Sequence, residues 1–338
     1  MLEDCKLQIV AHRHINACLK QWTDIIAHNH YYSPFQYPEI SDILFRNYYP
    51  FMFVQREFPV FYELIQNGKT VMIAPMCHKY CSDGMMYTSF GSAPTIATQD
   101  FIYRENIKKE LMADCLNFLF ERFRDHKVRF NNLREDSLLY NVLAEKYAIT
   151  DSHANVAIPI PGDYQLYYDS LSKNTRQNIR TAYNRLNRDN KQYNLELTQG
   201  AMAHKEQLSI MQIYIKRRIN RYRKTGLLHR VFLRKIHFNT IGFQKLDYSF
   251  SSVLRIDNTI AAFLQGYMKN DKSSVIVPRL SINEDCVFYS PGMLLLNETV
   301  KEMAKRGIGE LDLSKGAETY KYAMGGRDYF TYDIEICL

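Results

Sequence analysis

Tyr289-Ser-Pro-Gly-Met-Leu-Leu-Leu296 joins a strand-like run to a helical one, and its punctuation decides how the chain is read. Leu296, Val300 and Met303 recur at helical spacing behind Pro291 and Gly292, and Gly307 stands as the stop of a helix over 292–306. A turn of this kind leaves backbone N–H groups unpaired at the positive end of a helix dipole, and Gly292 lets a phosphate approach the backbone closely. An ordinary turn with Pro291 near the start of the helix accounts for this stretch at least as well.

Upstream, apolar runs predict strands at 251–257, 259–268 and 273–280, with a turn at Asp257-Asn258, after helices near 172–190 and 202–221. Downstream, a strand is expected at 309–313, a short helix at 318–324 and a strand at 329–336. The first half begins with strands at 59–65 and 69–79, joined by the hairpin signal Asn67-Gly68. A helix over 107–125 follows, with Leu111, Cys115, Phe118, Leu119 and Phe123 on one face, then a strand at 128–133, a helix at 137–146 and a strand at 148–158. The starts 128, 137 and 148 pair with 309, 318 and 329 at a common offset of roughly 181, the mark of a duplicated unit. Ile158-Pro-Ile-Pro-Gly162 is a natural seam, which gives two α/β (α+β) domains over 1–160 and 161–338, each a mixed central sheet flanked by helices.

Three stretches carry a family resemblance: Tyr289 to Leu296, then Gly307-Ile-Gly-Glu-Leu-Asp-Leu-Ser-Lys-Gly316, then Glu318-Thr-Tyr-Lys-Tyr322. Together they resemble the C-terminal signature of the GNAT acyltransferase branch that includes the cellulose-biosynthesis CelD-like enzymes. Ser172-Lys-Asn-Thr-Arg-Gln-Asn-Ile-Arg-Thr-Ala182 is similar to the helix that opens the second domain in that branch and in the Fem peptidoglycan-bridge transferases. Weaker similarity runs from Gly91 through Asp136.

The resemblance implies tandem GNAT domains, the second holding acetyl-CoA or another acyl-CoA. Arg279 and Leu280 on the strand, and Ser290, Pro291, Gly292, Met293 and Leu294 at the helix start, would form that cofactor site. Tyr289 and Leu294 occupy the outer places where the general superfamily motif has other residue types. The implied acceptor is an amine, on an amino sugar or other glycan precursor. A Fem-like aminoacyl transferase using charged tRNA and a non-catalytic basic binding protein are the alternative readings.

Amide formation needs a proton acceptor, a group that offsets developing negative charge and a proton donor for the thiolate. Asp312 is the candidate base, against a solvated strand residue; Lys321 is the candidate cation, against a surface lysine; Tyr289 or Tyr320 could donate the last proton, against a packing role. Lys173, Arg176 and Arg180 share one face of the basic helix and could clamp an acidic substrate, although such a stripe is commonly a solvated face.

The 338 residues carry a net charge of +7, but 36 acidic side chains are interspersed with 43 basic ones, which suits phosphorylated small molecules as well as nucleic acid. Apart from charged tRNA in the alternative reading, nucleic acid is not the expected partner. Seven irregularly spaced cysteines and the absence of a signal or membrane-spanning run argue for a reducing, cytoplasmic setting. Cys77 and Cys81 in one strand would sit ~13 Å apart, too far for a shared zinc, and His12-x-His14 alone is a weak ligand pair, so no metal is expected. Motifs for serine hydrolases, zincins and P-loop enzymes are missing.

Overall fold

A computed structural model describes residues 7–29, 33–43, 57–81, 84–89, 98–221, 226 and 245–338. Gly91 and the Gly/Pro stretch around it, and the first residues of the chain, lie outside them. Two compact units are present: Met1–Ala154 with Phe330–Leu338, and Asn155–Tyr329.

In the first unit, β1 (Leu7–His12), β2 (Glu57–Gln66), β3 (Lys69–Cys81) and β4 (Gly84–Ser89) form an antiparallel meander, with α1 (Leu19–Ala27) after β1. Asn67 and Gly68 turn β2 into β3 with φ of 51° and 72°, the two left-handed residues that a tight hairpin needs. The short β5 (Ile102–Tyr103) pairs with β3, and α2 (Lys109–Phe120) leads to β6 (Lys127–Arg134), which lies parallel to β4. After α3 (Leu138–Ala144) and β7 (Ile149–Pro159), the residues of β13 (Arg327–Cys337) from Thr331 onward pair antiparallel with β6.

The predicted face of α2 is rotated. Met112, Cys115, Leu116 and Leu119 are fully buried, whereas Leu111 and Phe118 are half-buried. The helix ends at Phe120, and Phe123 reaches the core from a 3-10 turn over Glu121–Phe123.

In the second unit, α4 (Tyr164–Ser170) and α5 (Lys173–Arg188) precede β8 (Tyr193–Gln199) and α6 (His204–Arg221). Ser172 caps α5 by accepting the Thr175 N–H at 3.1 Å, and Thr175, Ile179, Ala182 and Leu186 form its buried face. Next come β9 (Ser249–Ile256), β10 (Thr259–Met268), β11 (Ser274–Ile282), α7 (Pro291–Lys305), β12 (Glu310–Lys315) and α8 (Thr319–Ala323). β8 to β11 form an antiparallel meander, β12 runs parallel to β11, and the residues of β7 from Asn155 to Pro159 pair antiparallel with β12.

Each unit therefore runs through an antiparallel meander, a crossover helix and a parallel strand. The starts of β6, α3 and β7 at 127, 138 and 149 answer those of β12, α8 and β13 at 310, 319 and 327. Leu296, Val300 and Met303 are buried as expected, but so are Leu294, Leu295, Asn297 and Thr299, so α7 is enclosed almost all round. Its buried hydroxyl at Thr299 is satisfied by Ser252 at 2.8 Å. No described helix is long and apolar enough to cross a membrane.

Candidate functional site

β11 and β12 pair at Ser274↔Glu310, Val275↔Leu311 and Ile276↔Asp312, and there the ladder stops. Local features on both strands force the separation. Pro278 has no N–H to donate, and the register with β10 slips between Gln265↔Arg279 and Tyr267↔Ile276. Gly266 sits at this bulge, where a Cβ would fall 2.0 Å from the Ile276 carbonyl oxygen. Ser314 near the end of β12 and Gly316 just after it adopt φ of 58° and 112°, which turns the chain away from β11.

A cavity of about 630 Å³ opens in the gap. Pro278 and Leu280 of β11, Gly292 and Leu296 of α7, Leu313 and Lys315 of β12, and Tyr320 and Lys321 of α8 contribute to its walls. At the head of α7, Ser290 has φ 52° with no side-chain cap, and Pro291 carries no donor. The amides of Met293 and Leu294 fold back on the Ser290 carbonyl at 3.1 and 3.3 Å, leaving the Gly292 amide without an acceptor among the described residues. A Cβ at Gly292 would lie 3.2 Å from Ile282 Cγ2, so the helix start passes close to β11.

Of the predicted cofactor residues, Leu280, Ser290, Pro291, Gly292 and Met293 line the cavity. Leu294 is in the core behind the helix start, and Arg279 is buried with its guanidinium 5.9 Å from the Tyr214 ring, outside the lining.

Asp312 is buried and also outside the lining: its carboxylate accepts the Ser314 N–H at 2.7 Å and the Tyr329 O–H at 2.6 Å. Lys321 does line the cavity, but its ammonium donates to the carbonyls of Leu313, Ser314, Lys315 and Gly316 at 3.0, 3.0, 3.1 and 2.9 Å. It also pairs with Glu318 at 3.1 Å. Burial lowers its pKa from the ordinary lysine value, with Glu318 opposing.

Tyr320 is exposed and stands at the cavity. Tyr289 is not among the lining residues; its hydroxyl donates to Asp189 at 3.2 Å, and burial followed by that carboxylate raises its pKa.

None of Lys173, Arg176 and Arg180 on α5 lines the cavity. Lys173 and Arg180 are exposed, and Arg176 donates to the Asp169 carbonyl at 2.6 Å. Farther along the same helix, Arg185 donates to the Phe288 carbonyl at 2.7 Å with its guanidinium 4.9 Å above the Phe288 ring, holding the segment that enters α7.

Sequence reasoning missed the side chains that supply charge to this cavity. Arg217 and Arg218 come from α6, Lys315 from the end of β12, and Glu318 from the turn that follows it. Arg218 donates to the Tyr214 hydroxyl at 2.7 Å, whereas Arg217 and Lys315 have no side-chain partner among the described residues. Glu318 is the single carboxylate among the lining residues. The run Lys216-Arg217-Arg218 was the available signal, and nothing local distinguishes it from a solvated helix face.

In the first unit, Asp151, His153 and Asp333 bring possible metal-ligating atoms within 4.8 Å of one another. Asp333 is already held by Arg129 at 3.1 Å and by the Asn132 N–H at 2.8 Å. His12 is likewise engaged, 2.9 Å from Glu63.

Residues 173–322 match the family model described as acetyltransferase (GNAT) domain. No curated protein matches the chain. Among solved structures, FemX aligns with a TM-score of 0.63 at 8% identity, covering 98% of this chain and 97% of that one. A conserved protein of unknown function from Bacteroides thetaiotaomicron VPI-5482 aligns with a TM-score of 0.59 at 13% identity, covering 97% and 100%. A tandem GNAT protein from the clavulanic acid biosynthesis pathway aligns with a TM-score of 0.52 at 9% identity, covering 98% of each. At these identities the likeness is one of fold.

Proposed function

We propose that the chain, whose residues 173–322 match the family model described as acetyltransferase (GNAT) domain, moves an acyl group from acyl-CoA to an amine, with the chemistry in the second unit. The observation that carries this reading is the parting of β11 from β12 beside the head of α7, with a cavity of about 630 Å³ in the gap. An extended pantetheine arm fits between two strands that have stopped pairing, since each strand then has backbone groups to offer. A diphosphate fits at the cavity's Gly292 amide, with Arg217 and Lys315 as cations that have no other partner among the described residues.

Within that arrangement, Glu318 takes the proton from the attacking amine, since it is the carboxylate on the cavity wall. Tyr320 stands at the same cavity and returns a proton to the leaving thiolate. Lys321 is a positioning residue: by gathering the carbonyls of Leu313, Ser314, Lys315 and Gly316 it shapes the turn that presents Lys315 and Glu318. Asp312 holds the start of the same turn through the Ser314 N–H. The acceptor follows the resemblance to enzymes of glycan precursors and is an amine on an amino sugar or related compound.

Calorimetric titration with coenzyme A tests the donor. Saturable binding is expected, weakened about tenfold or more when Arg217 and Lys315 are both replaced by Met, because each charge-assisted contact contributes roughly 1.5–3 kcal/mol. Unchanged affinity in the double variant would remove these two side chains from the donor site.

A further inference from the structure

We infer that the inner end of this cavity accommodates an acyl chain of several carbons, so that the donor is a medium-chain acyl thioester and acetyl is the poorer fit. The inference rests on the thioester reading above and concerns what lies beyond the carrier's phosphates. Exposure orders the lining residues from mouth to floor. Val287 and Tyr320, at 60% and 41% exposed, mark the mouth. Val277, Leu296, Leu313 and Met324, at 2%, 1%, 5% and 1%, touch the cavity while closed off from solvent, and so form its floor.

That floor is hydrocarbon and thioether, with Ser281 as its buried hydroxyl. The ionisable side chain there is Lys321, whose ammonium is committed to four carbonyls and Glu318. What it offers a ligand is its aliphatic stem.

The position of the floor fits an acyl end. Leu313 directly follows Asp312, the last β12 residue paired with β11, so the floor begins where the strands part. Leu296 lies one helical turn beyond Gly292 on the same face of α7, ~6 Å farther in. A ligand held by its phosphates near Gly292 therefore reaches apolar side chains as it extends inward. Acetyl would bury a single methyl there, leaving the rest of an apolar surface uncovered, whereas each further methylene removes more of that surface from water. Met293 and Met324 are unbranched and polarisable, which lets the wall adapt to a flexible chain.

The test is calorimetric titration of the intact protein with coenzyme A, acetyl-CoA and hexanoyl-CoA under one salt condition. Hexanoyl-CoA is expected to bind at least tenfold tighter than acetyl-CoA, and Met324→Phe, which fills the floor, is expected to narrow that difference below threefold. Equal binding of the two thioesters overturns the medium-chain inference and leaves the donor reading standing. Failure of all three ligands to bind overturns both. The unmodified protein carries the comparison, so it holds even if the variant fails to fold.

Discussion

Lys321 shows how tertiary context assigns a role that residue type leaves open. In sequence it is a cation beside a predicted catalytic strand, and in the fold four carbonyls and Glu318 converge on it. Such a centre depends on the left-handed turns at Ser314 and Gly316, which no pattern in the surrounding residues announces. Replacing Lys321 by Met should leave several buried carbonyls without a donor and cost about 2–4 kcal/mol in urea unfolding. Lys321→Arg should not restore the loss, because a planar fork cannot meet convergent acceptors as a compact ammonium does. Wild-type stability in the Met variant would return Lys321 to a role in chemistry alone. Gly292 and its neighbours at the head of α7 were legible from Pro-Gly punctuation, but Arg217 and Lys315 were not, because a cation acquires meaning from the cavity it faces.

At the scale of elements, the parting of β11 from β12 matters more than any one of its side chains. It is imposed by Pro278, by the bulge opposite Gly266 and by the turn after Asp312. Gly266→Ala should therefore do more than remove a flexible residue: its Cβ meets backbone at 2.0 Å, and backbone cannot move aside cheaply. A loss of about 2–4 kcal/mol is expected in denaturant unfolding, accompanied by weaker coenzyme A binding as the gap closes or distorts. Stability within about 0.5 kcal/mol of wild type would show that the bulge yields without cost. The hairpins at Asn67-Gly68 and Asp257-Asn258 were readable because their turn chemistry is local and both residues of each pair take positive φ. β8 has no counterpart among the predicted strands, although Tyr193, Leu195 and Leu197 alternate with Asn194, Glu196 and Thr198 and two of them, Leu195 and Leu197, pack against the core: the signal is present in a seven-residue run just after a basic helix. α4 escaped for a different reason, being seven residues long, too short for helical periodicity to establish itself.

Across the whole molecule, the repeated order of meander, crossover helix and parallel strand gives both units the same plan, and that repeat was visible in the sequence as a recurring spacing. The return of Phe330–Leu338 to the first unit leaves no such trace, because the strand that ends the chain looks locally like any other. The two units also differ at the corresponding helix start: α7 opens with Ser290-Pro-Gly292, whereas α2 opens after Lys108 without a glycine or proline. In the proposed function the diphosphate of an acyl carrier lies at the head of α7. Calorimetric titration of coenzyme A into wild type and into Gly292→Trp, with melting curves showing that the variant remains folded, tests it most directly. Saturable binding of one coenzyme A per chain is expected in the wild type and none in the tryptophan variant; equal affinity in the two folded proteins would remove the diphosphate from this helix start.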